Sequence, residues 1–454
     1  MRDGRAIHPT RRRLLGQAGG LAGATWLGAA CGPGGAREGA APAAGEPATV
    51  GFATLYKEDP SWQLSRQQLA DFEAKHPRVR VEADWITGST TDYLKKLQTY
   101  LAGGSQPDVM YVHYLQTAIL GSQGVLLDLG RYVQQDKGFN AGDLVEGVVD
   151  HFRYRGKPAA VPWYSGPHTL LFNRTLFRRL GVKTPDEYEK EGRWTWETMR
   201  EAALKLTTGT PGSEGRTLGL SDVSDRLGRW ERWTWQNGGE LFDEGRRRSQ
   251  FTSTAAVGAF QFVADLFVKD RVVAYGEEAA QLNPRGSPFL SGRVGMHYGI
   301  ARDAMTAPVE AAKAAGWELG LVALPKGKGG RQNLDGPQAY AVGAASKAPD
   351  AAWELVKWWA AEPQQTQRLQ LGASAPVRKS MTRSKAFADS LRPFESVAVL
   401  EEAEKTVRAP YSPANLADIE RVVSEGWNAI LAGEKSVKDA LEQMTSQVDP
   451  LLQG

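Results

Sequence analysis

One cysteine, Cys31, stands in a chain of 454 residues. That excludes an intramolecular disulfide framework and a thiolate metal cluster. The six histidines, at 8, 76, 113, 151, 168 and 297, have no ligand-like spacing, so no metal site is expected. No run of about 18 apolar residues lies beyond the N-terminus, which excludes a multispanning membrane protein. Walker A and Rossmann glycine patterns are missing, so the chain is not a nucleotide-driven ATPase. A Gly-x-Ser-x-Gly nucleophile elbow is missing too. Charge of one sign is also lacking. The formal charge is +3, but the first 30 residues hold five Arg and one Asp; without them 50 basic residues face 51 acidic ones, or −1. The basic footprint of a nucleic-acid binder is therefore absent, and the basic loop Lys326 to Arg331 is too short and aromatic-poor to supply one.

What is there is an ordinary globular composition, 41% hydrophobic and 24% charged, with fourteen Trp. The length suggests roughly three units of about 150 residues. Residues 1–30 read as an export signal: Thr10-Arg11-Arg12-Arg13-Leu14-Leu15 carries a twin-arginine pattern before a small, mildly apolar stretch. Ala29-Ala30-Cys31-Gly32 resembles a lipoprotein cleavage site, although Leu27 lies four places before the cysteine and Gly28 occupies the preferred Leu position. Lipidation at Cys31 is the expectation, and a plain cleaved signal the alternative. Residues 31–48 form a flexible tether, because fourteen of the 17 residues from Gly32 to Ala48 are Gly, Ala or Pro and cannot bury a core.

The body opens with a strand–helix rhythm. Strands are expected at Ala48 to Ala53, Val79 to Ala83 and Asp108 to Val112, with helices at Ser61 to His76 and Thr91 to Ala102 between them. That is the order of a parallel sheet with crossover helices, whose ligands sit beyond the carboxyl ends of the strands. Further helices are expected at Trp196 to Thr207, Thr254 to Val268, Pro308 to Ala315, Ala351 to Ala361, Leu416 to Leu431 and Val437 to Leu452.

Several short motifs then fall in a telling order. They include Asp71-Phe72-Glu73, Tyr93-Leu94-Lys95-Lys96-Leu97, Pro107-Asp108-Val109 and Leu126-Leu127-Asp128-Leu129. Gly156 to Trp163, Leu171-Phe172-Asn173, Trp194-Thr195-Trp196-Glu197, Asn237-Gly238-Gly239, Gly292 to Met296 and Ser346 to Glu354 continue the series. Over residues 49–453 the chain resembles an extracellular solute-binding protein of a bacterial ABC importer, in the carbohydrate-binding, maltose-binding-protein-like group. The resemblance implies an α/β periplasmic-binding-protein fold with two lobes and a hinge of three chain crossings. The crossings would fall near Trp163 to Gly166, at Asp335-Gly336 and at Gly372 to Val377. Lobe 1 would be 49–164 with 337–372, and lobe 2 would be 165–336 with 373–454. Pro162 and Gly166 suit a hinge on their own chemistry, one fixing φ and the other freeing it.

A sugar offers flat C–H patches between rings of hydroxyls. Aromatic faces can cover the patches, and polar side chains can pair the hydroxyls. Three stretches mix the two kinds of residue where cleft loops are expected: Trp163-Tyr164-Ser165, the run Trp230 to Asn237 with Trp233 and Trp235, and His297-Tyr298 leading to Arg302. Tyr56, Glu58, Asp59, Trp85, Asp108, His113, Tyr114, Asp335, Gly336 and Arg378 complete the candidate ligand-binding set. Each has a bland alternative. Core packing competes for the Trp run, as it does for Trp196, Trp353, Trp358 and Trp359; a solvated loop competes for Tyr56, Glu58 and Asp59; backbone capping competes for Asp108; and surface charge competes for Arg302 and Arg378.

The expected role is capture without catalysis and without a cofactor. A sugar or oligosaccharide would be clamped between the lobes and delivered to ABC permease subunits by a monomer. The protein would be exported and either lipid-anchored at the outer face of the cytoplasmic membrane or periplasmic. A glycerol phosphodiester or polyamine ligand, or an exported carbohydrate-active enzyme, is the competing expectation.

Overall fold

A computed structural model describes residues 47–453, apart from 59, 222, 224–226, 284–285, 301–305, 373, 392–393, 395–396 and 414. The export signal, Cys31 and nearly all of the tether therefore lie outside the described residues, as do Asp59 and Arg302.

Two sheets organise the chain. The first has the order β2-β1-β3-β9-β4, built from β1 (Ala48–Tyr56), β2 (Val79–Thr87), β3 (Val109–His113), β4 (Val161–Tyr164) and β9 (Gln338–Val342). β1 runs parallel to β2 and to β3, and β9 is antiparallel to both β3 and β4. The predicted rhythm holds, because helices α1 (Pro60–Lys75) and α2 (Thr90–Ala102) supply the crossovers. α2 starts where Ser89 and Asp92 cap one another, the Ser89 hydroxyl accepting from the Asp92 N–H and the Asp92 carboxylate from the Ser89 N–H. Pro162 is tolerated because β4 is an edge strand.

The second sheet has the order β8-β5-β7-β6, from β5 (Thr169–Asn173), β6 (Leu218–Ser221), β7 (Val294–Ile300) and β8 (Leu319–Val322). Its large core holds Trp194, Trp196, Trp230 and Trp233 together with helices α3 (Leu227–Gln236), α4 (Thr254–Ala264), α8 (Leu416–Leu431) and α9 (Val437–Gln453). Gly219 in β6 lets the helix Trp196–Leu206 approach, since a Cβ there would sit 2.5 Å from the Ala203 Cα. The first sheet has its own core, which also takes in α5 (Pro349–Trp359). α6 (Glu362–Gln370) follows, and α7 (Val397–Lys405) precedes α8.

The chain leaves the first sheet after Tyr164, enters the second at Thr169, and returns to the first between Val322 and Gln338. The segments between are tied together at Ser165. Its hydroxyl donates to the Asp335 carboxylate at 2.8 Å, and its carbonyl accepts from the Ala375 N–H at 2.8 Å. Gly166 does not use the left-handed freedom expected of it, because its φ is not positive. What it supplies is space and a donor: a Cβ there would meet the Tyr164 hydroxyl at 2.5 Å, and its N–H donates to Asp335 at 2.6 Å. Val377 still packs in the first core, so the chain passes back toward the second sheet later than Gly372 to Val377. It does so by way of a small cluster of Leu369, Ala375, Met381, Phe387, Leu391 and Leu400.

No helix among the described residues is long and apolar enough to cross a membrane.

Candidate functional site

Between the two lobes lies a cavity of about 130 Å³ that draws residues from both. From the first sheet come His113, Tyr114 and Leu115, at and just beyond the carboxyl end of β3. From the second lobe come Gly228 and Arg229 at the start of α3, and Leu416 and Glu420 at the start of α8. His168, Leu334 and Gly336 belong to the connecting segments, and Tyr411 to the linker before α8. Two tyrosine rings thus stand beside two imidazoles, a guanidinium and a carboxylate, which is the mixture that carbohydrate recognition asks for. A larger pocket of about 610 Å³ lies at the outer edge of the second sheet, along β8 and α7. It takes nothing from the first sheet and has no Trp or Tyr among its described lining, so it is not the interlobe site.

The electrostatics of the cavity follow from burial. His168 Nδ1 lies 2.9 Å from Arg232 Nη1. A guanidinium can only donate, so His168 Nδ1 accepts and the neutral ring carries its proton on Nε2. Burial, reinforced by the charges of Arg232 and Arg229, pulls the His168 pKa well below its ordinary value and keeps the ring neutral. Arg232 is itself fully buried, 4.8 Å from the centre of the Tyr298 ring. Glu231, next to it, is buried and pushed up to about 8; burial outweighs the Tyr411 N–H that it accepts. Near the connecting segments, Glu404 is also pushed up to about 8 by burial and by the charges of Asp335 and Glu401.

Among the residues expected from sequence, the structure brings His113, Tyr114 and Gly336 to the cavity. Ser165 and Asp335 are buried in the connections, and Tyr164 is buried at the end of β4. Tyr56 and Trp85 sit together on the first sheet, ring centres 5.7 Å apart, with the Arg66 guanidinium 4.1 Å from the Tyr56 centroid, while Glu58 is exposed nearby.

The others are placed elsewhere. The run Trp230 to Gln236 is a buried helix, not a cleft loop. Trp230 stacks on Phe260 at 3.9 Å and Trp233 on Tyr298 at 4.7 Å, with interplanar angles of 9° and 10°. Those contacts bury the faces a sugar would need. Tyr298 lies within β7 rather than after it. Trp235 is covered by Arg408 and donates to Glu240. Asn237 donates to the Ala255 carbonyl. Trp163 is 2% exposed, between the Arg368 guanidinium at 4.1 Å and a near-parallel Tyr340 at 5.5 Å. Asp108 precedes β3, at the end of the strand away from the cavity, where it accepts from Gly51 N–H and the Ser346 hydroxyl. Arg378 is a clamp on the first lobe, donating to the carbonyls of Ala360 and Phe139 and pairing with Asp143.

His168, Arg229, Tyr411 and Glu420 were not foreseen. The signal for Tyr411 is present in Pro410-Tyr411-Ser412-Pro413, an aromatic held between two prolines in an interhelix linker.

Two lobes with a shared cavity define a ligand-capture fold. The model of the bacterial extracellular solute-binding protein family matches residues 60–366, and the chain belongs to that family. It is a family of binding proteins rather than enzymes. The chain is 26% identical over 460 residues to an "uncharacterized lipoprotein in oleD 5′ region" of Streptomyces antibioticus, covering 92% of this chain and 96% of the relative. Among solved structures it is similar to the ABC substrate-binding protein Lmo0181 from Listeria monocytogenes in complex with cycloalternan, with TM-score 0.76 at 20% identity over 90% of this chain and 99% of the other. It is also similar to the GacH receptor of Streptomyces glaucescens, solved unliganded and with acarbose, with TM-score 0.72 at 23% identity over 89% and 98%.

Proposed function

We propose that the protein captures a sugar or oligosaccharide in the cavity between its lobes and hands it to the permease of an ABC importer. One observation carries the reading: Tyr114 of the first lobe and Tyr411 of the second line one cavity with His113, His168, Arg229 and Glu420. The rings cover C–H faces, the neutral His168 offers its Nε2–H, and Arg229 and Glu420 pair hydroxyls. Ligand bridging both lobes favours the closed arrangement, since it gains contacts that an open cleft cannot give. The lobes move as 49–164 with 337–372 against 165–336 with 373–454, apart from the later third return described above. The solved neighbours bind cycloalternan and acarbose, which supports a carbohydrate ligand. Export by the twin-arginine segment and lipidation of Cys31 complete the proposal, and the lipoprotein name of the Streptomyces relative supports the anchor.

A phosphorylated polyol is the second reading, favoured by Arg229 and the two imidazoles; Arg302 lies outside the described residues and Arg378 faces away. A polyamine or a glycosidase mechanism draws less support, because Glu420 is the one carboxylate among the described lining residues.

Calorimetry against mono- and oligosaccharides, with glycerol 3-phosphate as a further arm, tests the proposal. At least one sugar is expected to bind near 1 μM, about −8 kcal/mol. Tyr411→Ala is expected to weaken it more than tenfold, about 1.4 kcal/mol. Heat from the phosphate ester alone moves the assignment to the second reading; silence from every sugar and the ester removes both.

A further inference from the structure

The linker Val407 to Pro413, between α7 and α8, is fixed to the second lobe along its length. The Arg408 N–H donates to the Asn333 carbonyl at 3.0 Å, and the Arg408 guanidinium pairs with Glu240 at 2.7 Å over the Trp235 ring. The Tyr411 N–H donates to both oxygens of buried Glu231, at 3.1 and 3.0 Å. The Tyr411 ring packs on Phe242 and under Arg246. Pro410 and Pro413 fix φ on either side, so the strap presents its next residue from a stiff backbone. That residue, Ser412, reaches the other lobe: its hydroxyl donates to the Leu115 carbonyl at 2.6 Å.

Leu115 answers from the opposite side. It follows β3 of the first sheet by two residues, yet its side chain packs against the hydrophobic cluster of the second sheet. A polar and an apolar contact therefore cross between the lobes through one residue pair. Both partners adjoin the cavity tyrosines, Leu115 next to Tyr114 and Ser412 next to Tyr411.

We propose that Ser412 and Leu115 form an interlobe latch that sets how far the ligand-free cleft stands open. Opening the lobes withdraws Leu115 from an apolar cluster and breaks the hydrogen bond from Ser412, so the pair biases the open–closed equilibrium before any ligand arrives. Both are positioning residues: they act on the distance between the lobes, and Glu231 acts through them by holding the strap. The proposal rests on the reading of this cavity as the ligand site, but its test needs no ligand.

Spin labels on the full chain carrying Cys31→Ser, Lys95→Cys and Lys313→Cys report the separation from exposed positions on the two lobes by double electron–electron resonance. In ligand-free protein, Ser412→Ala and Leu115→Ala are each expected to raise the weight of a second distance population at least twofold over the parent. Ser412→Thr, which keeps the donor, is expected to restore the parental distribution. An unchanged distribution in Ser412→Ala overturns the latch, whatever Leu115→Ala does; melting curves of the same samples confirm that each variant is folded. Shifted distances with no sugar bound by the parent leave the latch standing and remove the ligand assignment instead.

Discussion

Asp335 takes two donors from the neighbouring connection, the Ser165 hydroxyl and the Gly166 N–H, and is 1% exposed. Deleting its carboxylate leaves both donors buried without this acceptor, which costs about 1–3 kcal/mol per unsatisfied group. Asp335→Ala is therefore expected to lower the urea midpoint by an amount corresponding to at least about 1 kcal/mol. Asp335→Asn, which keeps one acceptor oxygen, should lose less. Equal midpoints for all three proteins would show that the carboxylate adds nothing to the tie between the connections. The same logic separates Arg378 from the cavity arginine. Arg378 donates to main-chain carbonyls and pairs with Asp143 away from the cavity, whereas Arg229 lines the cavity with His168.

At the scale of elements, the helix Leu227–Gln236 is the instructive case. All its residues from Trp230 to Gln236 are buried, so a charged pair, Glu231 and Arg232, is carried inward with the indoles. Trp233→Ala is expected to destabilise the protein by about 3–5 kcal/mol, the usual range for truncating a large buried aromatic. Chemical denaturation measures this directly. A large loss of sugar affinity with unchanged stability would return the residue to the cleft. In the sequence this run invited a loop reading, because Glu231, Arg232, Thr234 and Gln236 stand among the Trp residues, and all four are buried with them. The amphipathic helices at Thr90–Ala102, Leu416–Leu431 and Val437–Gln453 were legible for the opposite reason: one face each is apolar at helical spacing. The strands β1 and β3 were legible from their apolar runs and β2 from its alternation, and His113 and Tyr114 stand at and just beyond the carboxyl end of β3. β5 was harder, since a short, fully buried strand has no alternation to read. Tyr411, Arg229 and His168 come from three separate stretches of chain, and only the lobe packing brings them to one cavity.

Over the whole molecule, buried titratable groups set a stability profile with pH. Glu231 and Glu404 are raised from 4.5 to about 8, so between those values the folded protein holds protons that the unfolded chain has released. Their stabilisation is complete below about 4.5 and is lost as pH rises through 8. His151 runs the other way. Burial lowers it from 6.5 to about 4, so the unfolded chain binds the extra proton in that window and stability rises with pH up to 6.5; His168 is lowered well below its usual value and acts in the same sense. The acids and the histidines oppose each other up to 6.5, and above it only the acids act. Thermal midpoints are therefore expected to fall between pH 6.5 and 8 and to level off beyond. Glu404→Gln removes one titrating acid while keeping its shape. It should flatten that decline by roughly half, because two groups with similar displacements share it. A decline as steep in Glu404→Gln as in the parent would assign the slope to groups other than this carboxyl beside Asp335.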